Sequence, residues 1–131
     1  MKRIVTSGKR KSAIAAATLQ QGAGIIRING HLLDTYEPEL CRLKLKEPLL
    51  IAGNAVVGVN IDVSVRGGGT ASQTEACRLA IARALVACDK KLQKQFLDYD
   101  RTLLVADVRR KESRKPNCHG KARAKRQKSY R

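Results

Sequence analysis

The chain has 131 residues, with 27 Lys+Arg against 11 Asp+Glu, a formal net charge of +16. One domain is expected from that length, and so large an excess of one sign repels itself in isolation and favours a polyanionic partner. A membrane span is not expected, because apolar runs such as Leu49–Ala52 fall far short of the ~20 residues a span needs.

No apolar stretch follows Lys2-Arg3, as an export signal requires. Reduced thiols in a cytoplasmic compartment are therefore expected for the four widely spaced cysteines, Cys41, Cys77, Cys88 and Cys118. With one Phe, three Tyr and no Trp, the core must be built from aliphatic side chains.

In chain order, residues 13–19 and 24–28 are two short apolar runs separated by Gln21-Gly22-Ala23-Gly24, which predicts a hairpin between them. Asn29-Gly30 is a strong turn signal, because both residue types tolerate positive φ. Pro38 fits the first turn of a helix over 38–47, and Pro48 fits just past its end. Gly53-Asn54 closes that segment.

Residues 56–66 carry the clearest strand signal, with Val57, Val59, Ile61, Val63 and Val65 alternating with mostly polar residues. Gly67-Gly68-Gly69 follows, and a helix is predicted over 71–89. Its two apolar sides suggest burial against both the sheet and the earlier helix. Cys77 and Cys88 read as core residues of that helix. A short amphipathic piece with Leu92 and Phe96 is predicted over 90–97, and Thr102–Ala106 reads as a last strand ended by Asp107. The body is thus α/β or α+β.

Charge is unevenly placed. Residues 109–131 hold 11 basic residues and one acid, Glu112, so this segment of 23 residues carries +10 and the other 108 carry +6. It has no Val, Ile, Leu, Met or Phe, so it cannot offset its ordering entropy by burial. The segment is expected to be extended and disordered until a partner neutralises it. A division follows: a globular body over 1–108 and a basic tail over 109–131. A smaller basic group lies at Lys9-Arg10-Lys11.

Few residues suggest chemistry beyond charge. The triple glycine sits between a strand and a helix, where backbone N–H groups can hold a phosphate, but the lysine of a P-loop is absent. A tight structural turn is an equal reading. Cys118-His119 lacks the further ligands of a zinc site. Asp98 and Asp100 read as balancing local positive charge, and His31 as a surface turn residue. No nucleophile motif is present, so neither catalysis nor a cofactor or metal is expected.

Several segments taken in order carry a resemblance. They are Gly8-Lys9-Arg10-Lys11-Ser12-Ala13, Ile28-Asn29-Gly30, Tyr36-Glu37-Pro38, Val63–Gly69, Ala84-Leu85, Tyr99–Ser113, Lys121-Ala122-Arg123 and Gln127–Arg131. This ordered set resembles the universal ninth-protein family of the small ribosomal subunit, called protein sixteen in eukaryotic cytosolic ribosomes. Tyr99–Arg110 and the closing Ser-Tyr-Arg look like its archaeal and eukaryotic branch. Lys115–Gly120 departs from the family's glycine-rich link, and the segment around 88–98 is shorter than in many relatives.

The resemblance implies an α/β domain of the ribosomal-protein-five second-domain type, with a left-handed strand–helix–strand crossover against the usual right hand. It also implies a structural role in the head of the small subunit, beside neighbouring ribosomal proteins. Ribosomal RNA would be bound by Lys9, Arg10, Lys11, Arg66, Gly67, Gly68, Gly69, Arg109, Arg110, Lys111, Arg114, Lys115, Lys121, Arg123, Lys125 and Arg126. The tail would run toward the P-site tRNA, with Lys128, Tyr130 and Arg131 nearest to it. Two rival readings are a small nucleotide-binding enzyme using Gly67–Gly69 and a free protein that only condenses nucleic acid.

Overall fold

The computed structural model describes residues 3–123 and residue 130. Strands β1 (Ile4–Arg10), β2 (Ala13–Gln21), β3 (Ile26–Ile28), β4 (His31–Leu32) and β5 (Val59–Arg66) form one mixed sheet in the order β1-β2-β5-β3-β4. Three helices accompany it: α1 (Glu39–Ala52), α2 (Thr70–Cys88) and α3 (Leu92–Tyr99). The α/β class expected from the sequence is the one observed. No helix among the described residues is long and apolar enough to cross a membrane.

β1 and β2 form an antiparallel hairpin closed by Lys11 and Ser12, with Lys11 at φ 51°. β1 has no counterpart in the sequence reading. Its helix-facing positions are Ile4, Thr6, Gly8 and Arg10, which show no apolar period. They are held by other means. The Thr6 hydroxyl donates to the Ala80 carbonyl at 2.8 Å, and a Cβ at Gly8 would overlap the Ala76 carbonyl oxygen. With Ala13, Ala15, Ala17, Ala76, Ala80 and Ala84 all buried, small side chains let α2 lie close on the sheet.

The predicted hairpin between residues 13–19 and 24–28 does not form. β5 inserts between β2 and β3, pairing antiparallel with the first and parallel with the second. Asn60 ties the link down, its Oδ1 accepting from the Ala23 and Ile25 N–H groups at 2.9 and 3.0 Å. The turn at Asn29-Gly30 is observed, joining β3 to β4 with φ of 49° and 84°. The Asn29 side chain continues the β5 pairing beyond β3 by accepting from the Val65 N–H and donating to its carbonyl.

α1 begins after Pro38, as expected, but runs through Pro48 to Ala52 and is capped at Gly53 with φ 52°. Pro48 cannot donate to the helix ladder. Its ring instead fills the core, being among the fully buried side chains. The strand expected from residue 56 starts at Val59, because Gly53–Val56 is a 3-10 turn and Val57 is exposed.

α2 packs on the sheet and against α1, and α3 buries Leu92 and Phe96. Cys77 is buried, whereas Cys88, the last residue of α2, is exposed and not a core residue. The strand predicted over 102–106 is also absent. Arg101–Leu103 is a 3-10 turn in which the Asp100 carboxylate accepts from the Thr102 N–H at 2.9 Å. The Leu104 carbonyl is taken by the Arg83 guanidinium at 3.2 Å rather than by a neighbouring strand. The tail therefore leaves from a turn on α2.

Candidate nucleic-acid interface

Side-chain alternation divides the sheet. Ala13, Ala15, Ala17, Leu19, Val59, Ile61, Val63 and Val65 face the helices and are buried. On the opposite face, the register aligns Lys9 with Ile14 and Ile14 with Arg66 across three strands. The β1–β2 turn adds the exposed Lys11 beside them.

Gly67 and Gly68 wrap closely against that turn, with φ of 77° and 67°. A Cβ on Gly67 would stand 2.5 Å from the Ser12 carbonyl oxygen, so a side chain there would force the two turns apart. Gly69 caps α2 without a side-chain acceptor, and Gln73 donates to the Gly67 carbonyl at 3.1 Å. The glycine run thus performs the structural role of bringing Arg66 and the start of α2 up to the basic hairpin.

Beyond Ala106 the chain has no helix or strand among the described residues. Arg109, Arg110 and Lys111 come back past the hairpin and line an open hollow of about 870 Å³ with Lys9, Lys11 and Ser12. Five cations and no acid line it. Such a hollow concentrates anions, and Arg can hold a phosphate with two hydrogen bonds.

Arg10 does not share this setting. Its side chain is 17% exposed and turned toward the helices, where its Nε lies 2.8 Å from Glu75 and its guanidinium also meets Asp107. Strand alternation points Arg10 to the helix side, between the hairpin, α2 and the start of the tail, apart from the cations of the hollow.

Two further arginines bind the same segment. Arg78 pairs with Glu47 and with Asp100, the latter at 3.3 Å, and Arg83 donates to the Ser7 and Leu104 carbonyls at 2.8 and 3.2 Å. Burial raises the Asp100 carboxyl, but hydrogen bonds from Thr102 and the nearby Arg78 charge outweigh it and leave the group below its ordinary value. Sequence reasoning gave Arg78 and Arg83 no role. Their signal was available as isolated charges in an otherwise apolar helix, which are retained where paired. Asp100 balances positive charge as expected.

The remaining basic positions are exposed. Arg109 lies 2.7 Å from Asp107 and still opens to solvent. Arg114, Lys115, Lys121 and Arg123 are exposed, and two local contacts link residues within 112–123. The Lys115 N–H donates to the Lys121 carbonyl at 3.2 Å, and Arg123 reaches Glu112 at 2.6 Å. The hydrogen bond from Arg123 is the main cause that holds the Glu112 carboxyl below its ordinary value. Tyr130 is exposed, and Lys125, Arg126, Lys128 and Arg131 lie outside the described residues.

No three His, Cys, Asp or Glu residues among the described ones gather as metal ligands do. His31 is exposed on β4. Cys41 is buried, and burial pushes the Cys77 thiol up to about 12.

A single-layer sheet backed by helices, with a cation-lined hollow at one end and a basic tail leaving beside it, is the build of a nucleic-acid-associated protein. Comparison with known proteins narrows the class. The family model described as Ribosomal protein S9/S16 matches residues 8–131. The small ribosomal subunit protein uS9 of Methanococcus maripaludis strain C7 is 49% identical over 134 aligned positions, covering all of both chains. Its counterpart in Methanococcus vannielii is 48% identical with the same coverage. The chain belongs to the ribosomal protein S9/S16 family, structural constituents of the small ribosomal subunit.

Proposed function

We propose that this chain binds ribosomal RNA in the head of the small subunit through the hairpin, Arg66 and the glycine turn, and through the tail. The observation that carries the reading is the hollow lined by Lys9, Lys11, Arg109, Arg110 and Lys111 without an acid. Lys and Arg that neutralise phosphates release counterions, so affinity depends steeply on salt. Arg114, Lys115, Lys121, Arg123, Lys125 and Arg126 extend the same contact along the tail, next to neighbouring ribosomal proteins. Residues 109–131 act as an arm distinct from the body over 1–108. Its end, Lys128, Tyr130 and Arg131, reaches toward the P-site tRNA, a role that rests on the family resemblance and on the tail's charge.

Removal of residues 109–131 is expected to flatten the salt dependence of RNA binding. Each lost phosphate contact takes about 0.7–0.9 from the log–log slope. An unchanged slope excludes the tail as a phosphate binder. Deletion of Ser129–Arg131 alone should weaken tRNA retention in the P site of purified subunits that still assemble. Unaltered retention removes the tRNA contact from the proposal.

A further inference from the structure

The basic hollow lies on the β1–β2 side of the sheet, and β4 ends the sheet on the other side. There the surface changes character. Ile25, Leu32, Leu49 and Leu50 line a second open hollow, of about 390 Å³, between α1 and the strands β3 and β4. Val57 stands beside it, its Cα 3.7 Å from where a Cβ on Gly24 would lie. Ile25, Leu32, Leu50 and Val57 are all exposed, Leu50 by 78%. Along α1 the apolar surface continues to Leu43, which is exposed on the same helix face two turns before Leu50. We propose that this hollow docks an apolar side chain, flanked by acidic residues, of another protein of the small subunit. The proposal rests on the chain's place in that subunit and is independent of the RNA contacts proposed above.

Charge selects the occupant. Lys46 is the cation at this hollow, and it already pairs with Asp34 across the rim at 2.7 Å. A phosphate backbone therefore finds no free cation among the residues that line it. A second copy of this chain brings another +16 and is repelled. The tail over 109–131 has no Val, Ile, Leu, Met or Phe to offer as an anchor. A contiguous apolar patch of this kind marks a contact with protein. Its surroundings set the partner's charge. Arg42, Lys44 and Lys46 flank the leucines of α1, and Lys44 makes no ion pair among the described residues. Glu39 and Glu47 of the same helix are held by Arg42 and Arg78. Carboxylates beside the anchor complement this excess.

The test places a photoreactive benzophenone amino acid at Leu50 in the full chain, assembled into small subunits. Irradiation should give an adduct with another subunit protein, at an apolar residue with acidic neighbours, identified by mass spectrometry. An adduct on RNA, on a second copy of this chain or on a segment without acids overturns the proposal, as does irradiation that yields no adduct. Leu50→Asp should then weaken binding of the marked protein, purified, about tenfold or more. Unchanged binding overturns the proposal too. Melting temperatures identify a variant that fails to fold, and Leu43 then takes the label and the carboxylate in its place.

The same label at Lys11 reads the basic hollow separately and should mark RNA. If Lys11 marks RNA and Leu50 marks no protein, the docking proposal fails and the RNA reading stands. If Leu50 marks an acidic protein segment and Lys11 marks no RNA, the docking proposal stands and the RNA reading of the basic hollow fails.

Discussion

Adjacent basic residues in this chain do unlike work. Lys9 and Lys11 border an open hollow, whereas Arg10 between them is held by Glu75 and Asp107. Removing one member of a partly buried pair leaves the partners' charges uncompensated. Arg10→Gln is therefore expected to destabilise the fold by ~1–3 kcal/mol, measured by denaturant unfolding. Lys11→Gln, at an exposed site, should change stability by no more than ~0.5 kcal/mol and instead reduce the salt dependence of RNA binding. Equal stability of the two variants contradicts the division of labour. Asp100 sets an acid dependence. Its folded pKa lies below the ordinary value, so its contribution is complete above the unfolded pKa of about 4 and is lost as pH falls through the lower folded value. Thermal melts between pH 5 and 2 should show less acid sensitivity in Asp100→Asn than in the parent.

Single elements show why some of the fold was legible and some was not. β5 and α2 announce themselves because their buried positions are apolar at the right period: Val59, Ile61, Val63 and Val65 in one, Cys77, Ala80, Ile81 and Ala84 in the other. β1 stays hidden because Thr6, Gly8 and Arg10 face the helices through a hydroxyl, a missing Cβ and a salt bridge. Residues 102–106 mislead for the opposite reason: an apolar string is spent on a turn anchored by Asp100 and Arg83. The basic hairpin and the glycine turn could each be read locally, but their meeting depends on the pairing of β2 with β5, which no local pattern encodes. That meeting is tight at one glycine and loose at another. Gly67→Ala meets both positive φ and the Ser12 carbonyl, and should cost ~1–3 kcal/mol. At Gly69 φ is −103° and open space surrounds the Cβ position, so Gly69→Ala should stay within ~0.5 kcal/mol. Chemical denaturation of both variants checks the contrast.

For the whole molecule, residues 109–131 carry +10 of the +16 charge, and among the described residues none after Leu103 is buried. Leu103 is the last fully buried side chain before the tail, and residues 108–117 are all exposed. A chain ending at residue 108 should therefore melt within a few degrees of the full chain at high salt, where self-repulsion is screened. A large loss of stability on truncation contradicts the division into body and arm.

The Arg10–Asp107 contact also bears on the order of events as the chain is made. Its partners are 97 residues apart in sequence, and synthesis delivers Arg10 long before Asp107. The sheet meets a similar delay, since β5 must arrive before β2 and β3 share a layer. Contacts of such long range form late and close large loops when they do. The segment after Asp107 is consequently fixed to the hairpin only once the sheet has closed around Arg10.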